Sequence, residues 1–135
     1  MPLLLFLDAN VLFTAAHNPS GKAALLVELG VRGHWKVMTS ALAVHEARRN
    51  LGIKYTGSLP RLDALLPALR IVASDSGSAC PLDLPEKDRS IFLSALRFKA
   101  THLLTGDLRH FGPLINDPAK TCGVTVMTVA EFLKA

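Results

Sequence analysis

The sequence carries an unbroken run of apolar residues, Leu3–Leu7, which ends at a single acidic residue, Asp8. The run shows no alternation of apolar and polar side chains, so it predicts a strand that is buried on both faces. Such a strand needs helices on both sides of its sheet, because both faces must be shielded from water. The run therefore favours a parallel α/β fold.

Four more short apolar segments follow, with helical segments between them. Strands are predicted at Trp35–Met38, Leu69–Ala73, His102–Leu104 and Val124–Met127. Helices are predicted at Asn10–Ala16, Ser20–Leu29, residues 40–51, Pro60–Leu66, Glu86–Lys99, Phe111–Ile115 and Val129–Lys134, with loops at Lys54–Ser58 and Asp75–Pro85. The expected order is β-α-α-β-α-α-β-α-β-α-β-α. Strands separated by helices predict a parallel sheet covered on both faces.

Hydroxyl residues and glycines indicate where several helices begin and end. Ser20 is a predicted N-cap, as are Thr39 or Ser40, because a hydroxyl oxygen can accept a bond from a free N–H of the first helical turn. Gly30 or Gly33 is expected to end the second helix.

The composition narrows the class of protein. The chain has 135 residues, of which 50% are hydrophobic and 19% charged, so residues 1–135 are expected to form one domain and not a disordered chain. No apolar run approaches the roughly 20 residues of a membrane-spanning helix, and no signal peptide is recognisable. Two cysteines cannot build a disulfide framework, so a cytoplasmic location without membrane attachment is expected. The net charge of +4 permits a polyanionic partner but does not establish one.

Four acidic residues stand where they can converge on one edge of the sheet. Asp8 directly follows the first predicted strand, and Asp107 follows the fourth by three residues. Glu46 and Asp88 lie in helices that come after other strands. Each has a structural explanation by itself. Asp8 can be a helix cap and Asp107 a turn residue. Glu46 can form an ion pair on a helix surface, and Asp88 can complement a helix dipole.

Four carboxylates held together repel one another, and a hard divalent cation relieves that repulsion. Mg²⁺ and Mn²⁺ prefer oxygen ligands and bind through a few carboxylates together with substrate phosphate. The four acids therefore indicate metal-dependent phosphoryl chemistry on a polyanion.

The motifs around these acids resemble those of the PIN-domain family. They are Leu7–Leu12, Ser40–Asn50, Asp88–Ala95 and Leu103–Phe111, together with the closing stretch Gly123–Leu133. The resemblance covers essentially the whole chain. It implies a three-layer α/β/α sandwich with a central parallel sheet.

The same resemblance implies an activity and partners. Many PIN domains are Mg²⁺- or Mn²⁺-dependent ribonucleases, and small bacterial ones are often VapC-like toxins that form homodimers and bind an antitoxin protein. The chain is accordingly expected to be a metal-dependent endoribonuclease of a toxin–antitoxin pair. The alternatives are a PIN nuclease outside such a pair, acting on RNA or DNA, and a non-catalytic nucleic-acid-binding PIN domain. The helices at Ala23–Leu29 and Leu62–Leu69 are apolar and carry few charges, so they either offer an interaction surface or form core.

The resemblance also assigns residues. The acidic quartet that would bind metal and act in catalysis is Asp8, Glu46, Asp88 and Asp107, and the polar residues that would support it are Asn10, Ser40 and Thr105. Lys87 departs from the acid-rich start of the third motif, so Glu86 is an alternative or an assistant to Asp88.

Basic residues near the acids have two interpretations. Arg48, Arg49 and Lys54 either contact substrate phosphate or form an ordinary solvated helix end. Arg109 and His110 follow Asp107 and are candidates to hold the scissile phosphate or protonate a leaving group. The sequence shows no row of aromatic residues that suggests base stacking.

An aspartyl-phosphate phosphatase with Asp8 as nucleophile is a competing enzyme class. It normally needs a second acid two residues further on, and Asn10 occupies that position. This departure disfavours the phosphatase.

Overall fold

The computed structural model describes residues 2–75 and 77–134. Within them the strands are β1 Leu4–Leu7, β2 Lys36–Ser40, β3 Arg70–Val72, β4 His102–Leu104 and β5 Thr125–Met127. The α-helices are α1 Ala9–His17, α2 Lys22–Val31, α3 Ala41–Lys54, α4 Leu59–Leu65, α5 Glu86–Arg97, α6 Leu108–Phe111 and α7 Val129–Lys134. Short 3₁₀ helices span Thr56–Ser58, Leu66–Ala68 and Gly112–Leu114. The predicted order of strands and α-helices is confirmed.

All five strands run parallel, in the order β3-β2-β1-β4-β5. The chain moves from β1 outwards to β2 and β3, then returns to the other side of β1 to form β4 and β5. The direction of winding therefore reverses between β1 and β4. In open α/β sheets the crevice at such a reversal, at the carboxyl ends of the strands, is where ligands bind.

Helices cover both faces of the sheet. Helix α1 packs against α2, α3 and α4, and α7 packs against α2. Helix α5 forms the connection from β3 to β4 and contacts β2 and β4. The result is the predicted three-layer α/β/α sandwich.

The apolar run that predicts a doubly covered strand lies at the centre of the sheet. Leu5, Phe6 and Leu7 in β1 have no exposed surface. Burying each such side chain contributes roughly 1.5–3 kcal/mol to folding. Strand β1 is therefore a rigid support for the residues that follow it.

Several predicted helix ends are shifted in the structure. The N-cap of α2 is Gly21 and not Ser20, and the helix continues through Gly30. Gly33 follows the helix with φ +93°, a backbone conformation that glycine adopts without steric cost. Helix α3 likewise continues through Gly52, because the packing of its buried face outweighs the intrinsic cost of a glycine.

The other boundaries differ for local reasons. Helix α5 ends at Arg97, two residues earlier than predicted, and α6 begins at Leu108, because Asp107 caps it. The predicted loop Lys54–Ser58 contains the last residue of α3 and a 3₁₀ turn. The predicted loop Asp75–Pro85 contains no helix or strand among its described residues, and Ser76 lies outside them.

The first of the two apolar helical segments is largely core, and the second is less so. In the first of them Leu26 and Val27 are buried, and in the second Leu62 is fully buried. Leu25 is an exception, with 45% of its surface exposed. No helix in the described part of the chain is both long enough and apolar enough to cross a membrane.

Candidate functional site

The site lies where β1 and β4 end side by side. Leu7 and Leu104 are paired in the parallel ladder, and the backbone N–H of Asp8 donates to the Leu104 carbonyl at 3.0 Å. The next residues, Asp8 and Thr105, therefore emerge together at the carboxyl edge. This register brings two motifs that are 97 residues apart into contact.

Asp8 is a buried carboxylate whose oxygens all have donors. It is 2% exposed. Its Oδ1 accepts from the backbone N–H of Ala9 at 2.7 Å, which caps α1. Its Oδ2 accepts from the Thr105 hydroxyl at 2.9 Å and from Asn10 Nδ2 at 3.3 Å. These bonds offset much of the cost of burying the group and fix its orientation.

Asn10 and Thr105 hold the two strand ends together. Asn10 Oδ1 accepts from the backbone N–H of Gly106 at 2.7 Å, and its Nδ2 lies 3.4 Å from the Thr105 hydroxyl. That hydroxyl also accepts from the backbone N–H of Asp107 at 3.0 Å. Thr105 thus connects Asp8 to the turn that carries Asp107.

Asp88 and Asp107 meet at an imidazole. His110 Nδ1 lies 2.8 Å from Asp88 Oδ2 and 2.9 Å from Asp107 Oδ2. Where both carboxylates are ionised they only accept hydrogen bonds, so the contact then requires the tautomer with a proton on Nδ1. The same Asp107 caps α6 by accepting from the backbone N–H groups of Arg109 and His110 at 3.1 and 3.2 Å. Asp88, Asp107 and His110 are the one group of potential metal ligands found in the described residues.

Three of the four predicted acids open into one cleft of about 220 Å³. Asp8, Asp88 and Asp107 line it together. Its remaining walls are Ala9, Asn10, Phe13, Thr14, Asn50, Lys54 and Lys87. The cleft therefore combines carboxylates with amide and ammonium groups.

The environment changes the pKa of each acid differently. Burial raises the pKa of Asp8 above its usual range, and the nearby charge of Asp88 adds to the rise. Burial also raises the pKa of Asp88, with a further contribution from Asp107. Burial acts to raise the pKa of Asp107 too, but hydrogen bonds from the side chain and backbone of His110 outweigh it and hold that pKa below its usual range. The cleft thus favours proton or cation uptake at Asp8 and Asp88.

The structure does not bring Glu46 into this cleft. Glu46 lines an adjacent cavity together with Glu86, and Lys87 lines both cavities. Lys87 Nζ lies 3.3 Å from Glu46 Oε2. The lysine that breaks the acid-rich pattern is therefore the ion-pair partner of the fourth acid.

The remaining predicted residues lie around the cleft. Ser40 is buried and caps α3, accepting from the backbone N–H of Ala43 at 3.2 Å. Arg48 pairs with Asp63 at 2.7 Å on the surface. This contact corresponds to the solvated helix end and not to a contact with substrate phosphate. Arg49 and Arg109 are exposed and line none of the cavities described here.

The sequence does not reveal the contacts of His110 and Lys87. It presents His110 as a candidate group for substrate and Lys87 as a departure from a motif. The three-residue spacing of Asp107 and His110 on a short helix is the signal that could have revealed the first contact. The pairing of Lys87 with Glu46 joins two helices, and no local pattern reports it.

Solved structures with this fold belong to PIN-type proteins and VapC toxins. VapBC2 from Rickettsia felis, bound to a DNA fragment from its promoter, matches with a TM-score of 0.67 and 15% identity over 93% of this chain and 98% of that one. A PilT N-terminus domain protein from Sulfolobus solfataricus matches with a TM-score of 0.59 and 18% identity, over 98% of this chain and 92% of that one. Mycobacterium tuberculosis VapC20, a sarcin–ricin loop cleaving toxin, matches with a TM-score of 0.56 and 13% identity, over 82% of this chain and 94% of that one.

At these low sequence identities, the structural matches show a shared fold alone. No protein-family model and no curated protein sequence matches the chain. The PIN-like fold implied by the sequence motifs is nevertheless confirmed by the structure.

Proposed function

We propose that this chain is a divalent-metal-dependent endoribonuclease. The observation that carries the proposal is the convergence of Asp8, Asp88 and Asp107 on one cleft at the reversal point of the sheet. Three carboxylates in one cleft repel one another unless a cation joins them. The supporting polar network of Asn10 and Thr105 holds one of these carboxylates in place.

The residues of the cleft fit Mg²⁺ or Mn²⁺. Every acid that lines it offers oxygen atoms, which these hard ions prefer to nitrogen or sulfur. Burial and a neighbouring carboxylate both raise the pKa values of Asp8 and Asp88, and a bound cation would offset both effects. Asp8, Asp88 and Asp107 would hold the ion, and Glu46 would join them once Lys87 releases it. When bound, such an ion polarises the scissile phosphate and activates a water molecule.

The protein's own groups have distinct roles in this proposal. Thr105 and Asn10 orient Asp8 by donating to its Oδ2. His110 bridges Asp88 and Asp107 in the metal-free protein through its Nδ1. Lys54, in the wall of the cleft, is placed to attract a substrate phosphate.

RNA is the proposed substrate and an antitoxin the proposed partner. One structural neighbour, VapC20, is a toxin that cleaves the sarcin–ricin loop. Another, VapBC2, was solved with promoter DNA. The net charge of +4 suits a polyanion. We therefore propose a cytoplasmic toxin that forms a homodimer, binds an antitoxin protein and cleaves RNA.

The test is cleavage of RNA by the purified chain with Mg²⁺, with Mn²⁺ and with EDTA. We expect cleavage with either metal and none with EDTA. Asp8→Asn and Asp107→Asn should each lower the rate by at least about a hundredfold, in line with the loss of transition-state stabilisation in other sites. The matched control is Asp83→Asn, an exposed acid outside the cleft, which should cleave as the wild type does. Equal cleavage in EDTA contradicts the proposal.

A further inference from the structure

Three aromatic rings form a cluster beside the cleft. Phe13 and His17 lie one turn apart on α1, and Tyr55 follows the last residue of α3. The rings of His17 and Tyr55 are stacked, with centroids 3.8 Å apart and planes 19° from parallel. Phe13 lies 6.0 Å from His17 and 5.9 Å from Tyr55 by the same measure. We call these three residues the aromatic platform.

The platform is exposed and firmly placed. Tyr55 has 45% of its surface exposed, although a ring of this size contributes most to stability when it is buried. Its backbone N–H donates to the Leu51 carbonyl at 2.7 Å, which ties it to the end of α3. Helix α1 positions the other two rings. Phe13 is half-buried, whereas His17 and Tyr55 are exposed, so these two rings leave surface available for a further flat group.

The platform is continuous with the acidic cleft. Phe13 belongs to both, since it also lines the cleft that contains Asp8, Asp88 and Asp107. Lys54 lines the cleft as well, and its Nζ lies 6.0 Å from the centre of the Phe13 ring. Neither Lys54 nor His17 forms an ion pair with any acid that the structure describes. A cation and flat rings therefore stand next to the carboxylates.

We propose that the aromatic platform binds a base of single-stranded RNA next to the phosphate that enters the cleft. The proposal rests on the endoribonuclease function proposed above and adds a base-binding site beside the cleft. A base stacks on the His17–Tyr55 pair, and Lys54 holds the phosphate between that base and the cleft. Bases in a duplex already stack on their neighbours, so only an unpaired base can bind in this way.

The charges beside the platform favour a nucleic acid over a protein partner. The cation nearest the rings is unpaired among the described residues, and a phosphate would neutralise it. The rings also lead directly into the cleft where the phosphodiester must lie. A bound strand satisfies both features at once.

The first test measures binding without cleavage. A short single-stranded oligoribonucleotide containing 2-aminopurine is titrated with protein in EDTA at low salt. Stacking on the platform should quench its fluorescence, and Tyr55→Ala should weaken binding about tenfold and remove the quenching. Tyr55→Phe keeps a ring and should bind within about twofold of the wild type. The matched control is Ile53→Ala near the end of α3, at a residue that is 71% exposed, which should bind as the wild type does.

The second test uses cleavage in Mg²⁺. Tyr55→Ala should raise KM about tenfold with little change in kcat, whereas Asp107→Asn should lower kcat. A duplex of the same sequence should bind wild type and Tyr55→Ala equally.

The two tests separate the two proposals. Quenching that depends on Tyr55, without cleavage in Mg²⁺, supports the platform and contradicts the nuclease. Cleavage that does not respond to Tyr55→Ala, together with unchanged binding, supports the nuclease and overturns the platform. If Tyr55→Ala leaves RNA binding unchanged but loses self-association in light scattering, the rings belong to a protein interface. That result would also overturn the platform proposal.

Discussion

At the scale of single residues, the acids of the cleft show a conflict between folding and function. Asp8 follows three fully buried residues and is itself buried, where an ionised carboxylate is costly. Hydrogen bonds from Ala9 and Thr105 reduce that cost without abolishing it, because the pKa of Asp8 stays above its usual range. The metal-free protein therefore keeps a carboxyl group at a position that disfavours its charge through burial, and the nearby charge of Asp88 adds to this effect.

Replacing one of these acids should stabilise the metal-free protein. Asp88→Asn removes a like charge beside Asp8 and Asp107, so its melting temperature in EDTA should equal or exceed that of the wild type, against the usual trend for mutations. Excess Mn²⁺ should raise the wild-type value more than the variant's, since binding to the native state adds about 2.7 kcal/mol at a hundredfold excess over Kd. Equal Mn²⁺ shifts for both proteins would remove Asp88 from the site and make Glu86 the next candidate.

The difference in melting temperature between wild type and Asp88→Asn should depend on pH, and the pKa shifts give its direction. The folded-state pKa values of Asp8 and Asp88 lie above their unfolded values, so the folded protein binds protons more tightly there. The resulting destabilisation is full above the raised values and is relieved as the pH falls through them. The melting advantage of Asp88→Asn in EDTA should therefore shrink on mild acidification. An advantage that grows on acidification would contradict like-charge repulsion as its cause.

At the scale of elements, two serines with the same predicted role differ. Both Ser20 and Ser40 precede helices and were predicted to cap them. Ser40 accepts from the backbone N–H of Ala43, whereas α2 begins at Lys22 with Gly21 as its N-cap and has no side-chain cap bond. The cap of α3 matters for the site region because α3 also carries Glu46 and ends at Lys54.

The two serines provide a matched pair of substitutions. Ser40→Ala should lower the free energy of unfolding by about 0.5–2 kcal/mol, the usual effect of losing an N-cap. Ser20→Ala should change it by less than about 0.5 kcal/mol, as expected at an exposed position. Urea denaturation measures both. If Ser40→Ala also abolishes Mn²⁺ binding while the protein stays folded, Ser40 supports the metal site and is more than a cap.

At the scale of the whole molecule, exposed apolar surface is dispersed. The exposed large apolar residues lie on several elements and are Leu25, Val31, Ile53, Tyr55, Ile71 and Leu108. Of the two candidate segments, Ala23–Leu29 is largely core, whereas Leu62–Leu69 is buried only at its first and last residues. The proposed dimer must therefore use residues that the apolar pattern of single helices does not reveal.

Self-association can be measured directly. Light scattering at micromolar concentration should give a mass of about twice 14.5 kDa if the proposed homodimer forms. Because burial of apolar surface drives such association, the mass should persist at high salt. A monomer under both conditions would contradict a stable dimer.

The sequence by itself determined the sequential order of strands and helices and the fold class. Continuous apolar runs specify doubly covered strands, and that requirement is local to each run. It also determined that Asp8 and Asp107 follow strands, which places both at the carboxyl edge of a parallel sheet. These inferences hold because they depend only on residues near one another in the chain.

The tertiary structure alone decided which strands are neighbours and what the charged side chains contact. The pairing of β1 with β4 joins Asp8 to Thr105, and packing of helices pairs Lys87 with Glu46 instead of leaving that acid in the cleft. The aromatic platform likewise combines α1 with the end of α3. Such contacts arise from the packing of distant segments, whose energy depends on the whole fold, and the spacing of residues along the chain carries no record of them.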